Sequence, residues 1–315
     1  MLLRQLEYLT ALARERHFAR AAEACHVSQP ALSAAIRKLE AELDVPIVRR
    51  GNRFEGFTPE GERVLRWAYR ILSERDGLTD DVGTIRQGLT GRLRIGAIPT
   101  TLTTLPLLTV PFCAEHPQVG LSVLSLSSAN IQRRLAEFEI DAGITYLGAG
   151  ALPHLRAHHL YHERYVLLTT VAGRFAGHTS VTWADAAHIP LCLLTPDMQN
   201  RRTLDRIFDE AGAEPTAVLE TNSVSALYAH VRDGQWSSVV PHAWLRVFGV
   251  PAGMRVIPLV QPTAAQSVGL VVLDRDPEPV LARALLAVVR HRNLQTELDR
   301  LLPHHVGRGT LDERE

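Results

Sequence analysis

Leu2, Leu6, Leu9 and Ala13 recur at steps of four, three and four, the stripe of an amphipathic helix. Phe18, Ala21, Ala22 and Cys25 repeat the pattern over a shorter helix, and His26-Val27 connects it to a third. That third helix is predicted to open at Ser28, a good N-cap, with Gln29 and Pro30 in the first turn, where a missing N–H costs nothing. Leu32, Ile36, Leu39 and Leu43 form its apolar stripe, which leaves Gln29, Pro30, Ser33, Arg37 and Lys38 outside, with small Ala34 between them. Ile47-Val48 and residues 54–57 then read as two short strands around Gly51-Asn52, a turn-forming pair.

Thr58-Pro59-Glu60 is a capped helix start. Beyond it Val64, Ala68, Ile71, Arg75, Leu78, Val82, Ile85 and Leu89 recur at alternating steps of four and three, broken only by Arg75. On a helix far from the main core such a seam would stay wet. It therefore predicts a coiled coil with a second subunit, with Val64, Ala68, Ile71, Leu78, Val82 and Ile85 as dimerisation residues; a helix lying on its own effector domain is the competing reading. Gly88 and Gly91 end the helix. The remaining two thirds alternates strands with helices, which implies a parallel, helix-covered sheet: strands at 93–97, 119–125 and 141–145, then 165–170, 191–194, 217–220 and 237–240. Residues 267–290 add one more strand and helix.

Composition adjusts this picture in three places. At 315 residues the chain has room for about two or three domains, and its 22% charged fraction is that of a globular protein. Its formal charge balances to zero, so it is not basic all over; residues 1–58 hold nine Arg or Lys against seven Asp or Glu, and any electrostatic case rests on clustering. Arg49, Arg50 and Arg53 cluster on the hairpin, where they can follow a nucleic-acid backbone or enter a minor groove. The third helix, polar and slim in its exposed N-terminal half and carrying Lys38, the only lysine of the chain, suits a DNA major groove. Its N-terminal N–H groups and Ser28 can hold a phosphate. No early apolar run makes a signal peptide or membrane span, so a cytoplasmic location is expected. Cys25, Cys113 and Cys192 are far apart in sequence, which favours buried thiols over a disulfide or zinc site.

The run A-A-E-A-C-H-V-S-Q-P-A-L-S-A-A-I-R-K-L-E, followed by L-D-V-P-I-V-R-R and F-T-P-E-G-E, closely resembles the winged helix-turn-helix of LysR-type transcriptional regulators. Cys25 stands where that family usually has leucine, Ile47-Val48 replace Leu-Phe, and Ala34-Ala35 replace longer polar side chains. This shifts base reading onto Gln29, Pro30 and Ser33 and leaves Arg37 for phosphate. The resemblance implies an α/β chain with a winged helix-turn-helix at 1–58, a linker helix at 59–90 that pairs protomers, and a bilobal effector-binding domain at 91–302, similar to type 2 periplasmic binding proteins. Its first subdomain would comprise 91–162 and 268–302 and its second 163–267, joined by crossovers near 146–162 and 259–267. Residues 303–315 would form a polar tail.

A bilobal α/β unit binds ligand at the carboxyl ends of its strands, where helix N-termini offer free N–H groups. That rule nominates Thr100, Thr101, Ser127, Ser128, Thr195, Gln199, Asn222 and Ser223, short polar groups that favour a small anion; each taken singly is as well explained as a helix cap. Arg201 and Arg202 could counter a carboxylate, although a solvated helix start accounts for them more simply. His154, His158, His159 and His162 invite a metal reading, but no nearby Cys or Asp completes a set. Neither a metal nor a cofactor is expected. No G-x-S-x-G, H-E-x-x-H or Walker loop occurs, so no catalytic residue is assigned. The expected protein is not an enzyme but a homodimeric, further homotetrameric, regulator. Its partners would be a promoter dyad in double-stranded DNA and a small effector, with no membrane. The alternatives are a bilobal enzyme with an accessory DNA-binding domain and a ligand-independent DNA-binding regulator.

Overall fold

The computed structural model describes residues 1–50, 54–148 and 154–302, with the side chains of residues 50, 80–81 and 84–87 outside the description. The chain divides into two units, one of Met1–Gly91 with Arg133–Ile140 and the other of Arg92–Gln132 with the chain from Asp141 onward. Among the described residues no helix is long and apolar enough to cross a membrane.

In the first unit α1 (Leu3–Glu15), α2 (Phe18–Ala24) and α3 (Gln29–Leu43) enclose Leu6, Leu9, Leu12, Leu32, Ile36 and Leu39, all essentially inaccessible. Each such side chain stabilises the fold by about 1.5–3 kcal/mol. Leu43, expected in the buried stripe, is instead 39% exposed. The helix stops there: Asp44 adopts a left-handed φ of 51°, its N–H caps the Glu40 carbonyl, and the chain turns away before Leu43 can face the core. Strands β1 (Val48–Arg50) and β2 (Phe54–Phe57) pair antiparallel, with Gly51, Asn52 and Arg53 outside the described residues. Ile47 precedes β1 rather than joining it. Its N–H and that of Val48 both donate to Glu40 Oε1, at 2.9 and 3.1 Å, tying the hairpin to α3.

Helix α4 (Pro59–Gln87) corrects the predicted seam. Leu65 and Ala68 are buried in the same core as α1 and α3, with Val64 and Ile71 packed against it. The first half of the stripe is thus committed within its own chain, where the apolar faces of α1 and α3 cover it. Arg75, the break in the heptad, bonds Glu7 of α1 and Asp76. Beyond that point Leu78 and Val82 are 67% and 51% exposed, while the side chain of Ile85 lies outside the description.

The second unit contains β3 (Gly91–Ala97), α5 (Pro106–Glu115), β4 (Val119–Ser125), α6 (Ser128–Ala136) and β5 (Ala142–Tyr146). Then come β6 (Leu155–Thr170), β7 (Val181–Thr182), α7 (Trp183–Ala187), β8 (Leu191–Leu194), α8 (Gln199–Glu210) and β9 (Ala217–Thr221). It closes with α9 (Val224–Arg232), β10 (Ser238–Pro241), α10 (Leu245–Phe248), β11 (Met254–Val260), β12 (Ala265–Leu273), α11 (Val280–Arg290) and α12 (Leu294–Asp299). The main sheet runs β4-β3-β5-β12-β6-β11-β7, with β10 also on β6 and a separate β8-β9 pair.

The sheet is mixed rather than parallel: β3 pairs parallel with β5, but β12 lies antiparallel to both β5 and β6. The crossovers expected at 146–162 and 259–267 are also largely strand. β6 is a single strand of 16 residues whose first part pairs with β12 and whose second part pairs with β10 and β11. Two lobes therefore share continuous β-strands as their hinge. β7, α7, α10, β11 and α12 have no counterpart among the elements predicted from the pattern. In the second lobe alternation feeds two cores: Tyr165 and Leu167 of β6 with Leu191 and Leu193 of β8 pack on one side, Val166 and Leu168 with Cys192 and Leu194 on the other. That explains the unbroken apolar runs, since a strand covered on both faces has no polar side to show.

Candidate functional site

Two constellations follow from this architecture. The first is the N-terminal half of α3, where Ser28 Oγ accepts from Ala31 N at 3.4 Å and so caps the helix. Ser28, Gln29, Pro30, Ala31 and Ala34 are exposed, Ser33 is half-buried, and Arg37 and Lys38 point outward further along. Ala31 and Ala34 carry nothing beyond Cβ, so the backbone can approach another surface closely while Gln29 reaches ahead of it. An amide side chain at such a tip can contact base edges by paired hydrogen bonds. Arg49 is exposed on β1, which Glu40 fixes relative to α3; the Arg50 side chain and Arg53 lie outside the described residues.

The second is a cleft of about 470 Å³ between the two lobes of the second unit. It brings together Thr100, Ser127, Ser128, Gln199 and Asn222 from the sequence-nominated residues, and adds Tyr146, Asn200 and Arg202. Thr100 is held in a 3-10 turn, Pro99–Thr101, whose carbonyl accepts from Trp244 Nε1 of the other lobe at 3.1 Å. Ser127 Oγ caps α6 through Asn130 N at 3.3 Å, and Ser128 Oγ accepts from Thr145 Oγ1 at 2.9 Å. The N-terminus of α8, by contrast, carries no side-chain cap, so its first N–H groups remain free for an anion. Arg202 spans the same turn, donating to the Asp197 carbonyl at 2.6 Å and to Gln199 Oε1 at 2.8 Å.

Three nominated residues stay out of the cleft lining. Thr101 is fully buried and donates to the Ile98 carbonyl, because the 3-10 turn rotates it inward. Thr195 is held behind the lining, its buried Oγ1 lacking a hydrogen-bond partner. Ser223 caps α9 through Ala226 N at 3.3 Å and also meets Ser225 Oγ at 3.0 Å. Arg201 is likewise engaged, by the Leu194 carbonyl at 2.8 Å, by Asp205 and by Glu220, and only Arg202 faces the cleft. Among the described residues no group of three or more His, Cys, Asp or Glu side chains is arranged to hold a metal; His159 and His162 form a ring pair 4.4 Å apart, brought to one side by a register shift in β6.

Behind the cleft lies Glu163, fully buried, whose Oε1 accepts from the Tyr146 hydroxyl at 2.7 Å. Burial pushes its carboxyl up to about 7 against the pull of the Tyr146 and Tyr165 hydroxyls. The next residue, Arg164, meets Nδ1 of fully buried His242 with both backbone groups, its N–H at 3.1 Å and its carbonyl, which accepts from the protonated ring nitrogen, at 3.2 Å. Burial lowers that imidazole to about 4, although the Arg164 backbone and Asp299 oppose the shift. These two groups act on stability with opposite signs. His242, depressed when folded, contributes stability that is present above about pH 6.5 and lost as the pH falls toward 4, by roughly 3 kcal/mol. Glu163, raised when folded, contributes stability present below about pH 4.5 and lost as the pH rises through 7. Between about pH 4.5 and 6.5 these two contributions offset one another. Glu163→Gln should unmask the acid loss, and thermal unfolding of the two proteins across that range checks it; parallel profiles would refute the assignment.

Comparison with known proteins gives two family matches: the bacterial regulatory helix-turn-helix protein, lysR family, over residues 3–62, and the LysR substrate binding domain over residues 86–293. The DNA-binding transcriptional dual regulator OxyR of Escherichia coli is 28% identical over 307 residues, covering 97% of this chain and all of that protein. A probable RuBisCO transcriptional regulator of Trieres chinensis is 28% identical over 249 residues, 76% of this chain and 80% of its own length. Among solved structures, a full-length OxyR variant from Pseudomonas aeruginosa superposes with a TM-score of 0.75 at 26% identity, covering 94% of this chain and 97% of that one.

Proposed function

Because the chain belongs to the LysR family of bacterial transcriptional regulators, we propose that it binds a promoter dyad through α3 and that a small polar anion in the interlobe cleft alters that binding. In this reading residues 1–58 read DNA, residues 59–90 pair protomers, and residues 91–302 bind the ligand. Two protomers present two reading helices to two half-sites, and dimers pair further into a tetramer. The relatives named above are transcriptional regulators, which supports regulation over turnover.

The observation that carries the ligand reading is the convergence of the uncapped α8 N-terminus, Arg202, Ser127, Ser128, Thr100 and Asn222 on one cavity built from both lobes. A ligand that contacts both lobes has a different affinity for each lobe angle, which is what regulation requires. Thiol oxidation fits less well. Burial raises the Cys25 thiol and pushes that of Cys192 up to about 11, so neither is poised as a thiolate, and Cys113 sits exposed on α5 outside the cleft lining.

DNA footprinting upstream of the protein's own gene and its neighbours, with and without small carboxylates, tests the whole reading. Within it, Gln29→Ala is expected to relax base preference at one position per half-site and weaken specific binding about 10- to 100-fold. Arg49→Ala should weaken all sequences alike and reduce the salt slope by about one. Competition binding at several salt concentrations separates the two. Should both substitutions act alike, the division between base and phosphate contacts is wrong.

A further inference from the structure

Tyr146 lines the cleft, and its buried hydroxyl is bonded to Glu163 Oε1 at 2.7 Å. A phenol has one proton to donate. While Glu163 is a carboxylate it can only accept, so that proton is committed to it, and the Tyr146 oxygen serves as acceptor for Asn200 Nδ2 at 3.4 Å and for Thr100 Oγ1 at 3.1 Å. With its proton committed to Tyr146, Thr100 Oγ1 has only lone pairs to show the cleft. Once Glu163 is protonated, its own O–H can donate to the Tyr146 oxygen, Tyr146 can turn its proton onto Thr100 Oγ1, and the Thr100 proton is released to an acceptor in the cleft. Protonation of one buried carboxyl thus converts the cleft floor from acceptor to donor and removes a negative charge directly behind it.

We propose that Glu163 is a specificity-determining positioning residue, and that a small carboxylate enters the cleft together with one proton taken from solvent onto Glu163. The proposal rests on the anion reading given above and deepens it. Its balance is simple: the free protein, the carboxylate anion and one proton give the complex, with the Glu163 O–H as the only bond formed. The remainder of the lining already suits an anion, through the α8 N-terminus and Arg202. Two carboxylates oppose one: Asp197, exposed at the rim of the lining, and Glu163, buried behind Tyr146.

The groups facing Glu163 leave it as the natural site for that proton. Tyr146 comes from β5, Tyr161 and Tyr165 from β6 itself, and Gln266 is its register partner on β12. Burial drives all three phenols upward, so they keep their protons. Across the cleft α8 contributes Asn200 and Arg202, with Asp197 just before it. Glu163 Oε1 is held by Tyr146, while Oε2 makes no hydrogen bond of ordinary geometry and feels only the pull of the Tyr165 hydroxyl, so it is the oxygen open to a proton.

Isothermal titration of the full chain with acetate, at constant ionic strength, reads the linkage. Wild-type affinity is expected to fall about tenfold per pH unit above about pH 7, and paired buffers of different ionisation enthalpy should register uptake of about one proton. Acetamide, the neutral isostere, should show no such slope. Glu163→Gln should bind acetate with little pH dependence. As a check that needs no variant, the carbon-13 carboxyl resonance of Glu163 in the wild type should titrate higher when acetate saturates. Equal acetate slopes in wild type and Glu163→Gln, a matching slope for acetamide, or a Glu163 titration unmoved by acetate would each overturn the proton linkage and leave the anion reading standing. Failure of acetate to bind either protein at about pH 6 would overturn the anion reading, and this proposal with it.

Discussion

Gly61→Ala is expected to destabilise the first unit by roughly 2–3 kcal/mol. A Cβ at that position would sit 2.0 Å from the Ile47 carbonyl oxygen and 2.8 Å from its carbon, backbone atoms with no rotamer to yield. The approach is this close because three bonds draw the start of α4 onto the segment before β1: Thr58 N donates to the Ile47 carbonyl at 2.9 Å, Thr58 Oγ1 to the Pro46 carbonyl at 2.5 Å, and Gly61 N to Thr58 Oγ1 at 2.9 Å. Glu40 grips the Ile47 N–H from the other side. Relieving the clash means giving up several of these bonds at once. Gly77→Ala on the same helix is the control, since its Cβ would meet nothing within 4 Å; it should gain about 0.5–1 kcal/mol from the reduced freedom of the unfolded chain. Chemical denaturation of the three proteins, followed by DNA binding, makes the comparison. Equal midpoints for Gly61→Ala and wild type would refute the close-approach argument.

The same position marks how far the amino-acid pattern reaches. The F-T-P-E-G-E motif signals a helix start by its Thr, Pro and acids, but the reason for its glycine lies in Ile47, fourteen residues earlier, and pattern alone carries no such distance. The α3 face was legible apart from Leu43, because helical periodicity decides which side chains point outward but not where the helix stops. The cleft was legible in half. Strand-end rules located Thr100, Ser127, Ser128, Gln199 and Asn222, yet could not say that a 3-10 turn buries Thr101 or that Arg201 spends its polar atoms on ion pairs; for Ser223 the alternative of a plain helix cap is the one the structure shows. Glu163 stayed hidden because its segment, with four histidines and two charged residues, looked like a connection. In the fold it is a strand that β12 covers for its whole first part, so its polar residues are carried by pairing rather than by solvent. Continuous β6 and β12 across the hinge were missed for the same reason.

Leu78→Glu combined with Val82→Glu is expected to leave each protomer folded while abolishing dimerisation, with an apparent operator affinity about 10²- to 10⁴-fold weaker. The distinction rests on where the seam lies. Val64, Ala68 and Ile71 belong to the head core, so charges there would unfold it and say nothing of assembly. Leu78 and Val82 are 67% and 51% exposed within their own chain, and exposed sites tolerate substitution to within about 0.5 kcal/mol. In a paired helix the same positions face each other, and glutamates there would set like charges in an apolar seam. The loss in affinity comes from geometry rather than from any DNA contact: with one head bound, a dimer holds the second beside its half-site at high effective concentration, and a monomer does not. Affinity for an isolated half-site should therefore be unchanged, and the footprint should shrink to one half of the dyad. Sedimentation at micromolar concentration together with binding to single and paired half-sites decides the matter. A double variant that remains dimeric and still protects both halves would move the dimer seam elsewhere on the chain.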